Sequence, residues 1–245
     1  MDELKKKEHA VLSKKWKEAD DLIFKFLLAY GVAAVGLSFV YSTWVIALAV
    51  SAITIGGFMA IRKLAGDTHL HRYFASLAFG VFMALFIYQM HGLFEMHFFA
   101  FIGSAIMIAY QQWRMQIPIT LFVVLHHGIL AYLQYTGVNG IYFTQLEYMS
   151  ISTFAIHIVL AAVIFSICGL WAYRFKNYSI SDAIQAEKLA TFNKELANNN
   201  VTLNRTKKAL AKANSSLQEE KDKLIELTAK QAEINRQLIV MSENN

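Results

Sequence analysis

Between Leu22 and about Tyr173 the chain is a series of long apolar stretches separated by very short breaks. Few folds accept such a pattern. A helix that crosses a bilayer needs about 20 mostly apolar residues, because each adds about 1.5 Å and the hydrocarbon is about 30 Å thick. Six stretches meet that length, at approximately 22–41, 43–61, 73–91, 93–111, 115–135 and 148–173. The breaks are Ser42-Thr43, RKLAGDTHLHR, a turn at His91-Gly92, QQWRMQ and TGVNGIYFTQLE. Pro118 falls in the first turn or so of the fifth stretch, where a missing backbone N–H costs least. The expected fold is all-α, a six-helix transmembrane bundle over 22–176.

Basic residues give the expected orientation. They occupy the leader, the second break (Arg62, Lys63, Arg72), the fourth (Arg114) and the end of the sixth stretch (Arg174, Lys176), while the other breaks carry none. That alternation predicts an integral inner-membrane protein with both termini in the cytoplasm. The leader, 1–21, is charged and lacks an apolar core followed by a cleavage site, so no removable signal peptide is expected. It reads as an amphipathic helix whose Leu4, Val11, Leu12 and Trp16 rest on headgroups, or as a solvated basic arm. Tyr110, Trp113, Tyr132, Tyr135, Tyr148, Trp171 and Tyr173 fall near helix ends, as interfacial anchors do.

Beyond Tyr178 the composition turns polar and a seven-residue column begins: Leu189, Leu196, Leu203, Leu210, Leu217, Leu224, Gln231, Leu238. Three residues after each stands a second column, from Phe192 to Met241, that is polar or small in its middle. These are a and d positions, and they predict a parallel dimeric coiled coil over 177–245. Asn199, Thr206 and Glu220 weaken the second column, and a coil near the edge of two packings can relay a small helix movement. No kinase or cyclase signature follows, so the chain itself is not expected to be an enzyme. A separate cytoplasmic output domain or protein is the expected reader, and nothing points to nucleic acid.

Ionisable residues within spans are costly and mark function. Here they are nearly all histidines. His9, His69 and His71 are set aside as leader and loop residues facing solvent or headgroups. His91, His97, His126, His127 and His157 remain, with Glu95 beside them. Counting from the outer helix ends, His97 lies about 6 Å down and His126, His127 and His157 about 12–14 Å. His91 and Glu95 lie at the outer rim. Glu95 and His97 point about 200° apart on a regular helix, so both cannot ligate one ion, but Glu95 can orient a ligand. Imidazoles at one depth suit zinc, copper or iron. Two facing rings suit haem, a cluster can respond to protons, and single interhelical hydrogen bonds would simply hold the bundle. Cys168, the one cysteine, reads as a small buried apolar residue and leaves no internal disulfide.

The run YQMHGLFEMHFFAFIGSAIMIAYQQWR followed by LFVVLHHGILAYLQ resembles a multi-spanning sensor module found ahead of bacterial methyl-accepting chemotaxis, histidine kinase and similar output domains. The resemblance rests on His91, Gly92, Glu95, His97 and Phe98, on Tyr110, Trp113 and Arg114, and on His126, His127, Tyr132, Leu133 and Gln134, with His157 matching a further histidine. It covers roughly the third to sixth stretches. Phe99 stands where many relatives have another histidine, and Gln112 where many have an acid. The resemblance implies sensing. With the residue pattern it predicts a dimeric membrane sensor whose histidine site acts through the sixth helix on the coil. The alternative is a transporter or cytochrome b-like redox protein using the histidines for ions or electrons, which leaves so long a coil without a role.

Overall fold

The computed structural model describes residues 2–66, 68–145 and 150–243. Those residues are almost entirely helical. They form six α-helices, α1 (Asp2–Tyr41), α2 (Trp44–Leu64), α3 (Leu70–Gln89), α4 (Phe98–Met107), α5 (Gln116–Tyr135) and α6 (Ile151–Glu243). All but α4 are long and apolar enough to cross a membrane. The chain divides into two compact units, Met1–Ala183 and Ile184–Asn245.

In the first unit α3 is the central helix, packing against α1, α2, α4 and α5. Its core face carries Phe79, Phe82, Met83 and Phe86, all fully buried. Gly103 of α4 allows close approach, since a Cβ there would stand 2.8 Å from that of Phe79. Polar ties replace part of the missing hydrophobic drive between helices in lipid. Gln89 donates to the Ala34 carbonyl at 2.8 Å, Ser38 Oγ at 3.0 Å and Thr43 Oγ1 at 2.9 Å. Ser76 Oγ accepts from the Ile119 amide at 3.2 Å and donates to the Met115 carbonyl at 2.6 Å, tying α3 to the start of α5.

Three expectations change. The leader and the first span are one helix, α1, and Leu12 and Trp16 are buried in the bundle rather than resting on headgroups. Trp16 Nε1 donates to the Tyr110 carbonyl at 2.9 Å. The side chain of Leu4 lies outside the described residues, as does Tyr148. Tyr110 is fully buried, not an interfacial anchor, whereas Trp113, Tyr132, Tyr135, Trp171 and Tyr173 are exposed as expected.

The third change concerns the fourth stretch. It contains only ten α-helical residues, with 3-10 turns at Phe94–His97 and Ile108–Tyr110. It still runs the length of the bundle. Its Tyr110 end lies beside Arg72 at the start of α3, with Arg72 Cζ 5.8 Å from the Tyr110 ring, while Gly92 at its other end follows the last turn of α3. A 3-10 turn rises about 2.0 Å per residue against 1.5 Å, so these seventeen residues reach about 29 Å.

In the second unit the described residues form helix throughout and are exposed. The heptad leucines Leu189, Leu196, Leu203, Leu210, Leu217, Leu224 and Leu238 each expose about half or more of their surface in this single chain.

Candidate functional site: a histidine triad beside α6

His97 closes the 3-10 turn that follows α3, His127 lies in the second half of α5, and His157 lies two turns into α6. Their rings meet. Centroids are 5.1 Å apart for His97–His127, 5.5 Å for His127–His157 and 5.8 Å for His97–His157. His97 and His127 are buried and His157 half-buried.

Two rings have their tautomer fixed by the backbone. His97 Nδ1 lies 3.0 Å from the Phe94 carbonyl, and His127 Nδ1 lies 2.8 Å from the Val123 carbonyl. A carbonyl only accepts, so in the neutral ring the proton sits on Nδ1 and Nε2 keeps its lone pair. This is the arrangement that prepares imidazole to ligate a metal. Among the described residues the His157 ring has no hydrogen bond, so it is free to turn.

Phe143 covers the triad from the loop between α5 and α6. It is buried, with its ring 5.1 Å from His127 and 5.6 Å from His97. Gln134 holds that loop. Its Oε1 accepts from the Phe143 and Thr144 amides at 2.9 and 3.0 Å, and its Nε2 donates to the Thr144 carbonyl at 2.9 Å. Gly92 lets the loop close over the turn, since a Cβ there would stand 2.7 Å from the Thr144 carbonyl carbon and its φ is +83°. A cavity of about 200 Å³ opens beside His97, His157, Phe143 and Leu160.

The remaining expected residues stand apart to different degrees. His126 neighbours His127 at 5.4 Å but stacks on Phe122 at 6.0 Å, and its buried Nδ1 has no partner among the described residues. His91 is stacked between Tyr41 and Tyr142, at 3.8 and 4.2 Å. Glu95 is exposed, on the far side of the 3-10 turn from His97. Phe143 and Gln134 complete the site. Gln134 lies within the segment that carries the family resemblance, but nothing in the sequence tells that Phe143, in a polar loop, turns inward.

The donor chemistry fits a single borderline ion. Two imidazoles on one tetrahedral zinc, with Zn–N about 2.0–2.1 Å, place their centroids about 5 Å apart, close to the spacing here. Among the described residues no three His, Cys, Asp or Glu side chains already stand as a metal-holding group. Closing the triad on an ion therefore requires the rings to turn. Haem fits less well: the cavity is below the roughly 300 Å³ at which sites for drug-sized molecules begin.

The other end of α3 corrects the reading of His69 and His71. His71 is buried, and its Nε2 lies 3.1 Å from Asp20 Oδ1. Arg72 reaches both oxygens of Asp20, each at 3.1 Å, and its Nη1 lies 2.7 Å from His69 Nδ1. Its guanidinium also lies 5.1 Å from the Trp16 ring centre. Burial pushes the Asp20 carboxyl up, but hydrogen bonds from His71 and Arg72 and the Arg72 charge outweigh it and hold it at about 2. Burial, then the charge of Arg72, pushes His69 down.

No family model matches the chain, and no curated protein or solved structure matches it significantly.

Proposed function

We propose that this chain is a transmembrane sensor module in which His97, His127 and His157 take one transition-metal ion, with zinc, copper and iron as the candidates. The observation that carries the reading is that three helical segments bring imidazoles into mutual contact and that one of them is α6. An ion that draws His157 toward His97 and His127 acts directly on the helix that bears the heptad column. In this reading that column pairs two copies as a parallel coiled coil, and a cytoplasmic output reads the pair.

The membrane placement draws support from the bundle itself. The breaks that carry Lys and Arg gather at one end. Arg62 pairs with Asp21 at 2.7 Å, Arg72 with Asp20, and Lys176 with Glu8. The opposite end, with Tyr41, His91 and Tyr142, holds the uncharged breaks. Six end-to-end passes with all basic breaks on one side fit an inner-membrane protein with both termini in the cytoplasm.

The test is to purify the full chain in detergent and measure bound metals by mass spectrometry together with the visible spectrum. About one metal per chain, lost in His127→Ala and retained in His91→Ala, is expected. A colourless, metal-free but folded protein that takes up no zinc, copper or iron on titration overturns the metal site. A Soret band reassigns it to haem.

A further inference from the structure

Two cavities of different character meet at the basic end of the bundle. One is an apolar groove of about 670 Å³ between α5 and α6, lined by Ile117, Leu121 and Val124 on one side and Phe165 and Leu170 on the other. The second is a polar pocket of about 430 Å³ lined by Glu8, His9, Gln111, Gln112, Arg114 and Lys176. Trp113 and Tyr173 line both, so one leads into the other. The groove is sized for a drug-scale apolar ligand and its aliphatic walls are exposed along the spans.

The pocket has the charge and the donors for a phosphate. Glu8 is taken up by Lys176, which leaves Arg114 in surplus. Among the described residues Arg114 makes no ion pair, and its guanidinium stays near the Trp113 ring at 5.8 Å. Gln111 and Gln112 carry buried amide oxygens without partners. With the oxygens turned inward, the NH2 of each amide is the end left to face the pocket. Basic pockets between spans on the cytoplasmic side recognise anionic headgroups, and Trp113 and Tyr173 stand where interfacial aromatics do.

We infer that groove and pocket together hold one anionic phospholipid, its acyl chain along α5 and α6 and its phosphate at Arg114 and the two glutamine amides. The lipid would sit against α6, the helix that also carries His157. The site involves none of the triad residues, so it stands or falls independently of the metal.

The experiment reconstitutes the full chain into bilayer discs of phosphatidylcholine with a minority of phosphatidylglycerol. Retained lipids are counted by native mass spectrometry after gentle extraction. Wild type is expected to retain phosphatidylglycerol above its share of the bilayer, and Arg114→Gln to lower that preference by about fivefold. Gly169→Leu fills the groove without backbone strain, since a Cβ there stands 3.9 Å from its nearest neighbours. It is expected to cut retention of both lipids, and Ser166→Leu serves if it folds poorly. Retention in proportion to the bilayer, or a preference unchanged by Arg114→Gln, overturns the site. Displacement by inorganic phosphate, with both groove variants unaffected, also overturns it and leaves a soluble anion site.

Discussion

The two ends of α3 carry histidines in opposite circumstances. At its start, His71 and Arg72 face Asp20, and the charges answer one another: Arg72 meets both carboxylate oxygens and His71 one of them. Past its other end, His97 meets His127 and His157, all of one kind, with no acid among them. The first set is complete in charge at Asp20, whose two oxygens both meet Arg72, although the buried His71 Nδ1 has no partner among the described residues. The second holds no such opposed charge and is incomplete in that sense, while backbone carbonyls take the Nδ1 protons of His97 and His127 and leave their Nε2 lone pairs open. A complete set fixes helices, and an incomplete one is where a ligand can change something.

The largest expected effect lies in the complete set. Arg72→Met leaves Asp20 buried without its counter-charge and should cost about 3–5 kcal/mol. Thermal unfolding in detergent measures it, and a loss under about 1 kcal/mol would mean that the two ends do not differ as described. The pair Asp20→Asn with Arg72→Met should cost much less than Arg72→Met alone, because no unpaired charge remains.

Next comes the incomplete set. Zinc at a hundredfold over its dissociation constant should stabilise wild type by about 2.7 kcal/mol. Removing the ion with a chelator should abolish the gain, and His97→Ala should show none. If zinc stabilises Arg72→Met but not wild type, the ion binds at the wrong end.

Acid sharpens the contrast further. The Asp20 carboxyl is held at about 2, against about 3.9 when unfolded. Its contribution is present above about pH 4 and is lost as pH falls through 2, a change on the order of 2 kcal/mol. Asp20→Asn should flatten that part of the stability profile.

An effect of similar size and defined sign is expected from Gly92→Ala. The residue holds φ +83° against the Thr144 backbone, so the substitution should cost about 1–3 kcal/mol. It should also weaken zinc binding by shifting Phe143. Unchanged zinc affinity in a destabilised variant would separate the loop from the triad.

Much of the fold is legible in the sequence, because runs of about twenty apolar residues are what hydropathy reveals directly. Each of the five long helices contains such a run, with α1 and α6 extending well beyond theirs. The fourth does not, since a 3-10 turn looks like any apolar run and covers the distance with fewer residues. At the site, depth counting puts His97, His127 and His157 within a turn or two of one another but admits His126 equally, whose ring stacks on Phe122. Depth fixes height along a helix and says nothing of azimuth. The setting of His69 and His71 escapes the sequence for a related reason. A break rich in Lys and Arg looks solvated, and Asp20 lies fifty residues away in what reads as a leader. Only the continuity of α1 brings that acid under α3.

The 3-10 turn at Phe94–His97 has a mechanical consequence. Rewinding its four residues to α pitch would shorten the segment by about 2 Å and swing His97 around the axis by about 20° per residue. The bond from His97 Nδ1 to the Phe94 carbonyl spans three residues and so matches the tighter pitch. On the proposed reading, a ligand at His97 that rewound this turn would change the length of the segment without any helix having to slide as a whole.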